Sequence, residues 1–189
     1  MNEYIQGSRS GVLPPIWPGE GGISPKRSPY SATLTEVVDN FAISNERKTI
    51  LDGLLEYRRA LYAAGIVRGF QWLDGSFMED VELHQSRSPN DIDVVTYFVL
   101  PDDETESSLL SKAPHLFDRE GVKAKYKVDS YYGVLGQTMS ESDVRKIAYW
   151  YSMWSHNRNQ TWKGFVRTEL NPSEDENARL VLNSKQVGP

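Results

Sequence analysis

The chain has 189 residues, of which 39% are hydrophobic and 25% charged, the make-up of one folded globular domain. Its 21 basic and 26 acidic side chains leave a formal net charge of −5, so a nucleic-acid partner would need a local basic patch rather than the field of the whole molecule. No apolar stretch approaches the roughly 20 residues that span a bilayer, the polar opening Met1 to Ser10 does not read as a secretory signal, and the lack of cysteine excludes disulfides, thiolate zinc sites and a cysteine nucleophile. The expectation is a cytoplasmic protein with no membrane partner.

Residues 1–30 carry Pro14, Pro15, Pro18, Pro25 and Pro29 among several glycines, which predicts an extended Pro/Gly-rich arm that anchors through Val12, Leu13, Ile16 and Trp17. Residues 31–170 form the body, a mixed α/β (α+β) domain. Leu34, Val37, Val38 and Phe41 predict a helix capped by Thr33 or Ser31. A longer helix follows from about Glu46, with Ile50, Leu51, Leu54, Leu55, Arg58, Leu61 and Tyr62 on its buried face and Gly65 as its left-handed stop. Strands are predicted at 68–74 and 91–100, separated by a polar loop, and an acidic helix at 102–111. Over 122–132, Val122, Ala124, Tyr126 and Val128 alternate with Lys123, Lys125 and Lys127, which predicts a third strand with a charged, edge-protecting face. A helix from Ser140 to about Ser155 and a short strand within 162–170 complete the body. Residues 171–189 read as a peripheral tail with a short helix at 174–182.

The chemistry-bearing segment runs Leu73-Asp74-Gly75-Ser76-Phe77, then Pro89-Asn90-Asp91-Ile92-Asp93-Val94-Val95. Residues two apart on a strand share a face, so Asp91 and Asp93 present two carboxylates together while Ile92 and Val94 enter the core. Such a pair calls for a cation, and Mg²⁺ (or Mn²⁺) suits hard oxygen donors shared with substrate phosphates. Asp129, near the end of the expected third strand, is the candidate third ligand. Gly75 allows close approach of a phosphate and Ser76 adds a hydroxyl donor. Lys163 and Arg158 are candidate phosphate contacts. His84, His115 and His156 lack ligand spacing and predict no histidine metal site.

The Gly75-Ser76 and Asp91-x-Asp93 pair resembles the signature of the DNA polymerase β-type nucleotidyltransferase superfamily. With Tyr126-Lys127-Val128-Asp129 and Trp162-Lys163-Gly164, the chain also looks like an uncharacterised bacterial family of minimal nucleotidyltransferase-like proteins. The resemblance implies a small mixed β-sheet backed by helices, Gly75 and Ser76 on nucleotide phosphates, Asp91 and Asp93 on metal, and Asp129 as the third carboxylate, which polarises the attacking hydroxyl. It implies a nucleoside triphosphate as substrate, an acceptor hydroxyl on a tRNA or other RNA end, a protein or a small molecule, and a toxin-antitoxin or phage-defence setting with a cognate protein partner. One departure is the fourteen-residue gap, 77–90, between Ser76 and Asp91, whose excess falls in Glu79 to Ser88 and reads as a surface insertion.

Two other readings stand beside this one. A non-catalytic module would keep the fold and bind nucleotide or a partner without turnover. An RNA-binding protein would use Arg145, Lys146, Arg158, Lys163 and Arg167 interleaved with Tyr149, Trp150, Trp154 and Trp162.

Overall fold

The structure is a computed structural model and describes residues 11–136 and 138–186; the first ten residues of the expected arm and residues 187–189 of the tail lie outside them. In chain order the elements are β1 (Tyr30–Ser31), α1 (Leu34–Phe41), α2 (Asn45–Ala63), β2 (Gly69–Asp74), a 3₁₀ turn (Ser76–Met78) and α3 (Val81–Gln85). Then come β3 (Ile92–Val99), α4 (Glu106–Lys112), α5 (Pro114–Phe117), α6 (Arg119–Tyr126), β4 (Val128–Leu135), α7 (Glu141–Trp154), β5 (Val166–Glu169) and α8 (Pro172–Ser184). Among the described residues this is a mixed α/β fold of eight α-helices and one five-stranded sheet of order β1-β5-β2-β3-β4. The pairs β1–β5 and β3–β4 are parallel, and β2 is antiparallel to both β3 and β5.

Side-chain caps start three of the helices, as expected at Thr33 and Ser140 and, in addition, at Ser44. Thr33 closes a capping box with Glu36 ahead of α1, Ser44 accepts from the Arg47 amide ahead of α2, and Ser140 closes a box with Asp143 ahead of α7. Alternation along the strands then sorts side chains onto two faces. One face sends Leu73, Ile92, Val94, Phe98, Val128 and Val166 into the main core, where they meet Leu34, Val38, Leu51, Leu54 and Leu61. The other carries a second, aromatic cluster of Trp72, Val95, Tyr97, Trp154 and Phe165, covered in part by α7 through Trp150 and Met153. Each large apolar side chain removed from water in these layers contributes roughly 1.5–3 kcal/mol.

Three expectations are corrected. The strand predicted over 122–132 is helical α6 up to Tyr126, and β4 begins only at Val128. Val122 and Tyr126, one helical turn apart, both bury, and Lys127 ends the helix in the left-handed conformation (φ 57°), so period-2 spacing had imitated an i,i+4 pair. The expected surface insertion, 79–88, leaves the surface over its first residues, where Glu79 and Val81 are buried, while 83–87 are exposed. Phe77, Met78 and Val81 are buried, and the buried Arg47 of α2 donates to the Phe77 and Glu79 carbonyls at 2.6 Å and to Glu82 at 2.6 Å. The expected peripheral tail forms α8, which packs on α1 and α2 and buries Ala178 and Leu182 in the main core. Its Asp175 accepts from Arg58 at 2.6 and 2.8 Å, and Arg58 also donates to Gln71 and the Glu169 carbonyl, so this buried arginine is fully engaged.

The described part of the arm is not extended throughout: residues 15–28 double back, with Ile16 bridged to Arg27 and the Trp17 amide donating to the Lys26 carbonyl at 2.9 Å, while residues 11–13 lie against the body. Val12 and Leu13 are buried, the Gly11 carbonyl accepts from the Asp80 amide at 2.7 Å, and the Leu13 carbonyl accepts from Gly164 at 2.7 Å. These contacts place residues 11–13 along the segment that follows β2.

Candidate active site

Register brings three carboxylates into one row. Asp74 ends β2 opposite Asp93 of β3, and Asp93 pairs in register with Asp129 of β4. All three stand on the aromatic face, one layer from Trp72, Val95 and Tyr131. Asp91 precedes β3 by one residue and, two positions from Asp93, belongs to the same side.

Gly75 follows Asp74 with φ 83° and ψ −170°, a conformation that is essentially glycine's alone. A Cβ built on it would overlap the Asp93 carboxylate, so the backbone of the Gly75 turn and Asp93 lie in direct apposition. Ser76, half-buried, opens the 3₁₀ turn that follows. Beneath the turn sits Lys163. Its ammonium donates to Asp74 at 2.8 Å, to Glu79 at 2.9 Å and to the Gly75 carbonyl at 3.5 Å, and its side chain is only 3% exposed. Lys163 is therefore not a direct phosphate contact. It ties the start of the 76–85 segment to the end of β2, because burial leaves its charge no alternative to these carboxylates. Burial outweighs this pairing at Asp74, whose carboxyl is pushed up to about 7.

On the other side of the row, α6 supplies two cations one helical turn apart. Arg119 donates to both oxygens of Asp129, at 2.5 and 2.8 Å, and its guanidinium stacks on the Tyr131 ring with 4.7 Å to the centroid. Lys123 bridges Asp91 at 2.7 Å and Asp129 at 3.1 Å. Burial works to raise the Asp129 carboxyl, but these hydrogen bonds prevail and hold it below the ordinary carboxylate value. Asp93 enters none of the ion pairs found among the described residues. Burial, reinforced by the charges of Asp129 and Asp91, pushes its carboxyl up to about 6.

The structure thus brings Gly75, Ser76, Asp91, Asp93 and Asp129 to one end of the sheet. Arg158 lies apart, exposed on the turn between the bridged residues His156 and Trp162. Of the basic and aromatic stretch, Trp154 is core, Lys163 is buried, Arg145 pairs with Glu141 and Arg167 with Glu169, while Tyr149, Tyr151 and Trp162 are exposed. Sequence reasoning missed Asp74, Glu79, Arg119 and Lys123. The i,i+4 spacing of Arg119 and Lys123, matched by Val122 and Tyr126, was the available signal once that segment is taken as helix.

Among the described residues no three acidic or histidine side chains already close on a common point as an assembled metal site. Asp91, Asp93 and Asp129 nevertheless fit a divalent cation in donor chemistry. They are hard oxygen ligands on neighbouring positions, and Asp93 has no cationic side chain bound to it among the described residues. Comparison with curated proteins and with solved structures yields no match. The family model that does match covers residues 6–169, and with that span the chain belongs to the family of unknown function DUF6932.

Proposed function

We propose that the protein is a metal-dependent nucleotidyltransferase of the DNA polymerase β type, which moves a nucleoside monophosphate from a nucleoside triphosphate to an acceptor hydroxyl. The observation that supports this reading is the row of Asp93 and Asp129 in register, flanked by Asp91 and set directly against the Gly75-Ser76 turn. The five-stranded mixed sheet with helices packed on it is compatible with the small core this chemistry uses.

Asp91, Asp93 and Asp129 would hold Mg²⁺ or Mn²⁺, whose contribution is to neutralise phosphate charge and favour an ionised acceptor oxygen. The Gly75 turn lets phosphate oxygens approach the backbone, and the Ser76 hydroxyl donates to one of them. Lys163 keeps that turn seated on Asp74 and Glu79. The acceptor hydroxyl gives up its proton to water, its oxygen forms the new bond to the α-phosphorus, and pyrophosphate departs with the electron pair of the α–β bridging bond. Positioning and electrostatics carry such a step, so no side-chain nucleophile is needed.

The test is incubation with each labelled nucleoside triphosphate and Mg²⁺ or Mn²⁺, with total RNA and cell lysate as acceptors. Transfer by the wild type that disappears in the Asp91→Asn, Asp93→Asn double variant is the expected result, and the labelled product reads the acceptor class. Equal labelling by both proteins would refute the site. A second reading, a nucleotide-binding module without turnover, draws on the ion pairs that engage Asp91 and Asp129. It gains if neither protein labels an acceptor while calorimetry shows metal-dependent nucleotide binding by the wild type.

A further inference from the structure

We propose that Arg119 and Lys123 of α6 are an exchangeable pair of counter-ions that form the triphosphate-binding site: they hold Asp129 and Asp91 until a divalent cation takes those carboxylates, and then hold the phosphate tail of the nucleotide. The inference rests on the nucleotidyltransferase reading and adds two residues to it.

The argument begins with a contrast among three cations. Lys163 is 3% exposed and held between two carboxylates, so it cannot leave without stranding buried charge. The Arg119 and Lys123 side chains are 48% and 40% exposed, while the carboxylates they hold, Asp129 and Asp91, are 7% and 19% exposed. Water receives these exposed cations at little cost, and the mostly buried carboxylates they leave stay compensated only if another cation takes their place. Their partners are also the residues whose oxygens a divalent cation would take. The divalent cation and Lys123 therefore compete for Asp91 and Asp129.

The geometry of release favours a single destination. Arg119 and Lys123 lie one turn apart on the same side of α6, and both reach the row that faces the Gly75 turn. Arg119 keeps a lateral support in the Tyr131 ring, which is held in turn by Trp150 with 4.3 Å between centroids. A planar guanidinium and a flexible ammonium side by side match a polyphosphate better than a single phosphate, since together they offer several donors over more than one group. The close approach of α6 to α2 fixes this placement. Gly53 of α2 packs against the Tyr126 carbonyl at the end of α6, where any Cβ would collide with backbone.

The experiment measures Mn²⁺ binding by paramagnetic resonance or calorimetry for the wild type, Lys123→Met, and Lys125→Met, whose lysine sits on the same helix against Tyr126 and away from the carboxylates. Lys123→Met is expected to bind Mn²⁺ roughly 1.5- to 5-fold more tightly than wild type, the range for freeing a weak pair, while Lys125→Met stays close to wild type. At saturating Mn²⁺, Arg119→Met with Lys123→Met is expected to weaken binding of a non-hydrolysable α,β-methylene triphosphate about tenfold or more, and of the nucleoside monophosphate far less. Unchanged or weaker Mn²⁺ binding by Lys123→Met, an equal gain in Lys125→Met, or an unaltered triphosphate affinity would each overturn the exchange. In those cases the nucleotidyltransferase reading survives if Asp93→Asn still abolishes Mn²⁺ binding. If no form of the protein binds Mn²⁺, the metal-dependent reading itself fails and takes the exchange with it.

Discussion

Replacing Lys163 by methionine tests whether this lysine holds the site together or serves the substrate. Methionine keeps most of the side-chain volume and removes one ammonium that faces Asp74 at 2.8 Å and Glu79 at 2.9 Å in a place 3% exposed. Removing one partner of a buried ionic cluster leaves uncompensated charge, a loss of about 3–5 kcal/mol. With a urea slope near 2 kcal/mol/M, the unfolding midpoint at pH 8 should fall by roughly 1.5–2.5 M. The loss has a signed pH dependence. The Asp74 carboxyl of the folded protein titrates near 7, above its ordinary 3.8, so between those values the folded state holds a proton that the unfolded state has lost. Stability from this group is therefore greatest at low pH and declines as pH rises toward 7. Without Lys163 the folded carboxyl moves still higher, and the deficit of the variant should be larger at pH 8 than at pH 5. Adding Asp74→Asn and Glu79→Gln to Lys163→Met should recover most of the loss, since a neutral cluster no longer needs the ammonium. A deficit below about 1 kcal/mol at pH 8, or one that does not vary with pH, would refute the reasoning and return Lys163 to the role of a free phosphate ligand.

Four further outcomes are expected. Asp93→Asn should abolish transfer yet raise stability at pH 8 by about 1–2 kcal/mol, because burial, with the charges of Asp129 and Asp91, pushes the folded carboxyl up to about 6; the gain should vanish by pH 4, as urea titrations at the two pH values will read. Gly75→Ala should lose about 1–3 kcal/mol from backbone strain and displace Asp93, seen as a lower melting temperature together with lost transfer. Gly53→Ala should cost about 1–3 kcal/mol by forcing α2 off the Tyr126 carbonyl, and should also disturb Mn²⁺ binding because α6 carries Arg119 and Lys123. Arg58→Met should strand Asp175 and cost about 3–5 kcal/mol, measured by urea unfolding, with little effect on the carboxylate row.

Much of the framework is legible in the sequence because it rests on short-range rules. Caps at Thr33, Ser44 and Ser140 start their helices through local hydrogen bonds, and alternation in β3 puts Asp93 on the face opposite Ile92 and Val94. Glycine at position 75 is required by a backbone conformation that other residues rarely adopt. These features bring Gly75, Ser76, Asp91 and Asp93 together at one end of the sheet. Where two periodicities coincide, local reading fails: Val122, Ala124, Tyr126 and Val128 fit a strand on paper, and only the packing of Val122 and Tyr126 in the main core selects the helix.

What the sequence by itself determined is that Asp91 and Asp93 share a side at the start of β3 and that a glycine turn follows β2, since both follow from neighbours within a few residues. The tertiary structure decided which cations those acids meet. Lys163 reaches Asp74 across 89 positions of chain and Arg58 reaches Asp175 across 117, separations at which no periodicity carries information. Arg119 and Lys123 find Asp129 and Asp91 only because α6 is a helix and β4 lies parallel to β3. Charge pairing in a folded protein is set by which elements share an edge or a face, and that is fixed by long-range burial of apolar surface, which the local pattern does not encode.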